Sequence, residues 1–224
     1  MSRLYNKSYR SIFHADSTTV KSGSFQRKSA SRVIIKQATT EKKGTILIVD
    51  ISGYTHFVRQ ADHAAGAQVI SSLLSSIIRN NTLGFHISEI EGDAILFYKY
   101  GIAQPFAVML SQFEQMLAAF NELIDHWKLI CPHVAMLSIK MVAHYGAIAE
   151  FKVNRFHKIY WKAVVETHRL LKNHIHSHTY ALVTHQYLQQ ANDSNMEQWE
   201  NKSQLYDVYD VGELCYTYFP YEMA

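Results

Sequence analysis

The sequence contains few of the residues that cross-link or interrupt a chain: two cysteines, three prolines and nine glycines among 224 residues. Two cysteines are too few for a disulfide framework or a cysteine-based zinc site, so a reducing, cytoplasmic setting is expected. The low proline and glycine counts exclude fibrous and low-complexity proteins. Because no uncharged apolar run approaches about eighteen residues, no membrane-spanning helix is predicted.

Core-forming residues are abundant, in contrast. Hydrophobic residues make up 48% of the chain and aromatic residues 12%. A chain of this composition buries a sizeable core, which excludes global disorder. Its length fits one large domain, or one domain plus a tail.

Charge is distributed unevenly along the chain. Residues 1–43 hold ten Lys and Arg residues against Asp16 and Glu41, a net charge of +8, whereas the remaining residues carry −5. The basic isoelectric point therefore comes from the first 43 residues alone, and we predict no specific nucleic-acid partner. We interpret residues 1–43 as a mostly disordered tail; an organellar transit peptide is the alternative.

Residues 44–220 show the hydrophobic patterns of an ordered domain. Long amphipathic helices combined with a largely antiparallel sheet predict an α+β fold with a ferredoxin-like βαββαβ core and added strands. The predicted elements are a buried strand at 45–49, a helix from about 55 to 80, strands at 85–90 and 94–98, a helix at about 105–129, strands at 134–144 and 147–153 joined by a turn at 145–146, a helix at about 162–173, a strand at 180–183, a helix at 184–190 and two strands within 204–218.

The first candidate site follows the buried strand. Asp50 ends that strand, and the turn Ile51-Ser52-Gly53-Tyr54-Thr55 leads into a helix. A carboxylate at a strand end is held rigidly, and the backbone N–H groups of such a turn suit a polyphosphate. The alternative is that Asp50 only starts the turn and Thr55 caps the helix.

The second candidate site is the hairpin tip Glu91-Gly92-Asp93. If the first and third strands are neighbours, Asp93 lies beside the strand end that carries Asp50. Two carboxylates at adjacent strand ends are what a pair of Mg²⁺ or Mn²⁺ ions requires. The alternative is an ordinary turn carboxylate.

Together these segments resemble the catalytic domains of class III nucleotidyl cyclases, over about residues 44–218. More particularly, the chain is similar to an uncharacterised, mostly bacterial family of single-domain cyclase homologues. The resemblance is carried by Val-Asp-Ile-Ser-Gly-Tyr-Thr-His-Phe (49–57), Glu-Ile-Glu-Gly-Asp-Ala (89–94), His-Tyr-Gly (144–146), the segment 161–173 with Thr-His-Arg-Leu (167–170), and Tyr-Asp-Val-Gly-Glu (209–213).

The resemblance implies a division of labour among these residues. Asp50, the backbone carbonyl of Ile51 and Asp93 would hold two divalent ions, and the turn at 52–55 (Ser52, Gly53, Tyr54, Thr55) would contact the nucleoside triphosphate. The ribose 3′-oxygen would attack the α-phosphorus and release pyrophosphate. Arg169 would stabilise the transferring phosphate from the other protomer, because such sites form across a head-to-tail homodimer.

The sequence also departs from the family pattern. Val165 stands where the family carries a ribose-orienting Asn, and Trp161 stands where a small residue is expected. The Lys-Gly pair expected after Gly212 is absent. Losing such oriented donors removes about 2.7–4 kcal/mol of transition-state stabilisation each, so weak turnover is expected.

Two further positions bear on the base. Glu89 stands where adenylate-type members carry Lys and guanylate-type members carry Glu, and Lys158 stands where adenylate-type members carry Asp. A carboxylate and an ammonium complement the N1–H, amine and O6 of guanine, so a guanine-type base is expected. The alternative is that the two side chains only form a salt bridge.

Histidine is the remaining excess, with thirteen in the chain. His174, His176 and His178 alternate, so a strand there would place three imidazoles on one face and hold a transition metal. A solvated loop is the favoured interpretation, because the segment follows directly on a helix.

Three functions remain open at this point. The first, which we favour, is a domain that binds a nucleoside triphosphate with divalent metal, turns it over weakly or not at all, and serves as a sensor or scaffold. The second is an active nucleotidyl cyclase that forms a 3′,5′-cyclic nucleotide. The third is a non-catalytic interaction protein in which both aspartates are relics.

Overall fold

A computed structural model describes residues 42–191 and 205–221 of the chain. The predicted tail lies outside the described residues except for Lys42 and Lys43, which begin the first strand. The elements in chain order are β1 (Lys42–Ser52), α1 (Tyr54–Gln60), α2 (His63–Arg79), β2 (His86–Glu91), β3 (Ala94–Tyr100), α3 (Phe106–Trp127), a 3₁₀ helix (Pro132–Met136), β4 (Ser138–Val153), β5 (Phe156–Tyr160), α4 (Lys162–Leu170), β6 (Tyr180–Thr184), α5 (His185–Gln190), β7 (Leu205–Tyr209) and β8 (Gly212–Pro220).

The strands form one mixed sheet in the order β2-β3-β1-β4-β6-β8-β7, and β5 pairs with the far end of β4. Strand β1 is antiparallel to both β3 and β4, whereas β4 and β6 are parallel. The order β2-β3-β1-β4, with helices between β1 and β2 and between β3 and β4, is the predicted ferredoxin-like core. The predicted α+β class is confirmed.

Strand β1 shows why the sheet has two buried faces. Its run Ile46-Leu47-Ile48-Val49 is at most 1% exposed along its whole length. Successive side chains point to opposite faces, so Leu47 and Val49 join the core formed with α2 and α3, while Ile46 and Ile48 join a second cluster with α4. We call these the α2/α3 face and the α4 face. By the same alternation Asp50 lies on the α4 face.

The first predicted helix is divided into α1 and α2. Ala61 is extended, and Asp62 caps α2 because its side chain accepts hydrogen bonds from the backbone N–H groups of Ala64 and Ala65, at 3.0 and 3.1 Å. A capping carboxylate satisfies N–H groups that a continuous helix would bond to backbone carbonyls. The prediction of a single helix over 55–80 is therefore wrong at residues 61 and 62. The break was not predicted because the helical spacing of apolar residues continues through it.

The turn predicted at Tyr145-Gly146 is also wrong, because β4 runs straight through it. Gly44 of β1 pairs with Gly146 in the antiparallel register. A Cβ on Gly146 would lie 2.8 Å from the Cβ of Ala163 in α4, so this glycine allows a helix to approach the strand closely. Strand β5 was not predicted, and the strand predicted for 134–144 begins within the 3₁₀ helix.

Candidate functional site

The structure brings Asp50 and Asp93 to neighbouring strand ends. Asp50 pairs with Ala94 in the β1–β3 register, and the backbone N–H of Ile51 donates to the carbonyl oxygen of Asp93 at 3.1 Å. Burial raises the pKa of the Asp93 carboxyl, and the charge of Asp50 raises it further. The two carboxylates therefore share one electrostatic environment.

A lysine that the sequence analysis did not single out lies in the same place. Lys140 of β4 pairs with Asp50 of the neighbouring strand β1, and its Nζ lies 3.1 Å from Asp50 Oδ2. The side chains of Lys140 and Asp50 are 19% and 16% exposed. In the sequence, Lys140 stands out only as a lysine within the apolar segment 139–143. Such a lysine is equally compatible with an ordinary strand residue.

The donor set does not fit the two divalent ions that the resemblance implies. Among the described residues, no group of three or more His, Cys, Asp or Glu side chains could hold a metal ion. Asp50 and Asp93 supply at most two negative charges, and the ammonium of Lys140 already neutralises one of them. Two dications beside a fixed cation would be left without enough negative charge.

The turn that follows Asp50 has a tightly constrained glycine. Gly53 has a φ of +84°, and a Cβ there would lie 2.6 Å from the carbonyl oxygen of Met136. Gly53 rather than Thr55 occupies the N-cap of α1, so a capping role for Thr55 is wrong. Ser52 is the buried last residue of β1, Tyr54 begins α1, and Thr55 is exposed.

Glu89 and Lys158 meet, as a salt bridge between β2 and β5. The Oγ of neighbouring Ser88 is buried and has no hydrogen-bond partner among the described residues. The cavity at this place is about 50 Å³ and is lined by Ile87, Ser88, Tyr98, Glu150, His157, Lys158 and Ile159. A cavity of that size holds roughly one water molecule, so a base must displace the Lys158 side chain to reach Glu89.

Helix α4 and the residue before it carry three positions of the resemblance: Arg169, Val165 and Trp161. Arg169 donates from Nη2 to Asp210 Oδ2 of the β7–β8 turn at 2.6 Å, within the same chain. Val165 is 44% exposed and presents no polar group. Trp161 precedes the helix with φ 115° and ψ 178°, a backbone region that is essentially restricted to glycine.

A buried polar network holds α4 against the sheet. The Nε2 of His144 lies 3.2 Å from Glu166 Oε2, and its Nδ1 lies 3.0 Å from Thr184 Oγ1. Burial raises the pKa of the Glu166 carboxyl, but the hydrogen bond from His144 and the charges of His144 and Lys162 outweigh it, so the pKa is lowered overall. Glu166 was not among the predicted site residues.

The histidine segment forms a connection without helix or strand between α4 and β6, in agreement with the loop interpretation. His174 contacts the buried carboxylate of Asp207, which also accepts hydrogen bonds from the hydroxyls of Tyr209 and Tyr216, at 3.2 and 2.9 Å. Burial raises the pKa of Asp207, and these hydrogen bonds together lower it below its usual value.

Exposed aromatic and aliphatic residues lie together at the far end of β4, on β5 and at α4. The rings of Phe151 and Tyr160 lie 5.3 Å apart between centroids, and those of Tyr160 and Trp161 lie 5.7 Å apart. Phe156 and Val165 are exposed as well. We call these five residues the aromatic patch.

A much larger cavity than the one beside Lys158 lies elsewhere. It measures about 490 Å³ between α1 and α2, and its walls are mainly apolar. Of the predicted site residues only Tyr54 lines it. Volume alone therefore does not locate the residues that carry the resemblance.

Sequence comparisons find relatives whose function is not described. Residues 70–180 match the family model described as "Protein of unknown function (DUF2652)". An uncharacterized protein of Mycobacterium tuberculosis is 30% identical over 122 residues, which are 51% of this chain and 57% of that protein. The chain thus matches little more than half the length of this relative. No helix in the described parts is long and apolar enough to cross a membrane.

Solved structures with the same fold are cyclase domains. The guanylyl cyclase Cya2 matches with a TM-score of 0.65 and 15% identity, over 80% of this chain and 91% of that one. A class III adenylyl cyclase-like ATP-binding protein from Pseudomonas aeruginosa matches with a TM-score of 0.56 and 14% identity, over 72% of this chain and 37% of that one. The described residues therefore have the fold of class III nucleotidyl cyclase domains, and the middle section of the chain matches the family model of unknown function.

Proposed function

We propose that this domain binds a nucleoside triphosphate and converts it slowly or not at all, so that binding itself is the output. The observation that carries the proposal is that Asp50 and Asp93 are retained side by side, on the α4 face that also carries the Glu89–Lys158 pair. The P. aeruginosa neighbour, described as a cyclase-like ATP-binding protein, offers a parallel for this use of the fold.

The spacing of these groups suits a nucleotide. Asp50 lies opposite Ala94 and Glu89 lies opposite Leu96, on the two sides of β3. Two strand spacings separate them, about 10 Å from the strand-to-strand distance. A triphosphate near Asp50 and a base near Glu89 therefore belong to one molecule of nucleotide length.

The side chains of α4 support weak turnover. Val165 offers no hydrogen bond to a ribose, and Asp210 of the same chain already engages Arg169. An oriented donor contributes about 2.7–4 kcal/mol to such a transition state. These two changes leave a site that holds a substrate better than it transforms it. An active cyclase remains the second candidate because both aspartates are present.

The Glu89–Lys158 pair supports a guanine-type base. The Glu89 carboxylate accepts from the N1–H and amine of guanine, and the Lys158 ammonium donates to O6 once it leaves Glu89. Adenine would present an acceptor to the carboxylate, and unpaired buried polar groups discriminate strongly. The buried hydroxyl of Ser88 is a further donor beside the same pair.

We also propose a two-fold homodimer through the aromatic patch. An exposed apolar surface next to a site is typical of an interaction surface, and Arg169 of one protomer would then face the phosphate groups bound by its partner. The pair with Asp210 would have to open for that contact to form. Sedimentation of wild type and Phe156→Ser tests this: a monomer at high wild-type concentration contradicts the dimer.

The decisive experiment titrates each of the four ribonucleoside triphosphates into purified protein, with Mn²⁺, with Mg²⁺ and with EDTA, and assays cyclic product in parallel. We expect saturable binding that favours GTP over ATP, with little or no product. Glu89→Lys should remove the preference, whereas Glu122→Lys makes the same charge change on an exposed position of α3 and should keep it.

Each outcome decides between the candidates. Equal or ATP-favouring affinity in the wild type contradicts the base preference alone. Rapid formation of a cyclic product supports the active cyclase, and no binding of any nucleotide supports an interaction protein. Asp93→Ala should abolish any part of the binding that depends on Mn²⁺ or Mg²⁺ while leaving the circular dichroism spectrum unchanged, because a hairpin-tip carboxylate contributes little to the core.

A further inference from the structure

Lys140 lies in the middle of a row of polar side chains that crosses three strands. In the register of the sheet it pairs with Asp50 of β1 on one side and with Tyr180 of β6 on the other. All three side chains lie on the α4 face. A lysine in the centre of a sheet, between strands that are otherwise apolar, requires a compensating partner.

Asp50 is that partner. Its Oδ2 lies 3.1 Å from Nζ of Lys140, and neither side chain is more than one fifth exposed. Water screens such a pair far less than a surface pair. Among the described residues, no other carboxylate lies within 4 Å of this ammonium, so moving Lys140 away would leave both charges without a partner.

The ammonium acts on Asp93 as well, since its charge favours the ionised form of that carboxyl. Lys140 thus interacts with both carboxylates that a divalent ion would have to bridge. An ammonium and a divalent ion compete for the same carboxylate oxygens and repel each other at this range. The cation already present is part of the chain and cannot be removed by dilution or chelation.

We propose that the Lys140 ammonium, paired with Asp50 and acting on Asp93, takes the place of a divalent ion at these two carboxylates, so that the site excludes Mg²⁺ and Mn²⁺ unless Lys140 moves. The domain then maintains its charge balance without metal. This inference concerns the protein without nucleotide and does not rest on the proposed function. It also explains why the predicted donor set does not fit two ions.

The test measures Mn²⁺ binding to protein without nucleotide, by the loss of the electron paramagnetic resonance signal of free Mn²⁺. Wild type should show no saturable binding up to about 1 mM, the weak limit of protein sites for divalent ions. Lys140→Met keeps a similar apolar length, removes the charge, and should bind one Mn²⁺ with an affinity at least about tenfold higher. Adding Asp50→Asn to Lys140→Met should abolish that gain.

Two variants serve as controls. Lys152→Met makes the same substitution at an exposed position of the same strand and should behave like wild type. Lys140→Arg retains a cation and should exclude Mn²⁺. As a second readout, Mn²⁺ should raise the melting temperature of Lys140→Met and leave that of wild type unchanged. If Lys140→Met does not fold, Lys140→Gln takes its place in both measurements.

Two results would overturn the proposal. If wild type binds Mn²⁺ as tightly as Lys140→Met, the lysine moves aside and replaces no ion. If folded Lys140→Met gains no binding, the two carboxylates form no cation site for a lysine to occupy. Because nucleotide is absent from these measurements, neither result bears on whether the domain binds a triphosphate.

Discussion

The two faces of the sheet differ in how their apolar residues are covered. On the α2/α3 face, one continuous core includes Leu73, Phe113 and Phe120, each fully buried. On the α4 face, the buried apolar residues form two smaller clusters, one around Ile48 and one around Val142. A continuous core contributes most of the stability of a domain, so we infer that the α2/α3 face mainly supports the fold.

The α4 face, in contrast, contains paired charged groups. Its ion pairs join side chains from different elements: Asp50 with Lys140, Glu89 with Lys158, His144 with Glu166, and Arg169 with Asp210. Buried and half-buried charges are costly unless they are paired, and they are concentrated where binding takes place. Substitutions of charged residues on the α4 face can therefore alter what the domain binds while the core on the α2/α3 face keeps the fold stable.

The largest expected effect separates the two faces directly. Phe113→Ala on the α2/α3 face should lower the free energy of unfolding by about 3–5 kcal/mol, because it leaves a cavity in a filled core. Phe151→Ala in the aromatic patch should change it by about 0.5 kcal/mol or less, as is usual at exposed positions. Urea unfolding of both variants measures the difference. Equal losses would contradict the comparison.

The buried His144–Glu166 pair should contribute more to stability than the exposed residues of the α4 face. Glu166→Ala leaves His144 buried beside an empty position, and the loss of one hydrogen-bonding partner costs about 1–3 kcal/mol. Glu166→Gln keeps a hydrogen-bond acceptor and should lose less. Urea unfolding at neutral pH compares them, and a change under about 0.5 kcal/mol in Glu166→Ala would mean that the pair contributes as little as a surface pair.

The carboxylates of Glu166 and Asp207 should make the fold less stable in acid. The pKa of Glu166 is lowered from 4.5 and that of Asp207 from 3.8, so each binds protons more weakly in the folded state. Their stabilisation is therefore complete above about pH 4.5 and is lost as the pH falls through the lower folded values. The urea midpoint should drop as the pH falls below about 4.5, and Glu166→Gln should show a shallower drop. Parallel pH profiles for both proteins would contradict this.

Trp161 offers a smaller and more specific test. At φ 115° a glycine avoids strain that any L side chain experiences, so Trp161→Gly should be about 1 kcal/mol more stable than Trp161→Ala. Both variants remove the contact with Tyr160, which makes alanine the matched control. Thermal unfolding compares the pair. Greater stability of the alanine variant would show that the backbone there is relaxed.

The smallest effect is expected at Arg169. Its pair with Asp210 is largely exposed, and such pairs contribute about 0–1 kcal/mol. Asp210→Asn should therefore leave the urea midpoint nearly unchanged while freeing the guanidinium. A loss beyond about 1 kcal/mol would show that the β7–β8 turn is fastened to α4 more firmly than an exposed pair allows.

Local patterns predicted the elements well where periodicity was strong. The apolar run 45–49 predicted the central strand, and the stripe on α3 predicted its buried side. Patterns failed where tertiary contacts decide: Gly146 indicated a turn, but it is a point of close helix approach. Asp50 and Asp93 were singled out because the segments 49–57 and 89–94 resemble cyclase motifs, and their roles stay predictions.

Lys140 was missed for a different reason. Its partner Asp50 lies far away in the sequence, and only the register of β1 against β4 places the two side chains opposite each other. A shift of one residue in that register would turn Lys140 to the other face of the sheet. No motif or local period contains that information, so the charge balance of the site required the structure.

The position of β1 in the sheet has a consequence for synthesis on the ribosome. β1 is made first among the described strands, yet one of its edges stays unpaired until Ser138–Val153 has been translated. An apolar strand with an open edge is a template for pairing with another chain. Nascent chains that stall before Ser138 are therefore expected to need chaperones or to aggregate, whereas chains released after Val153 can close both edges.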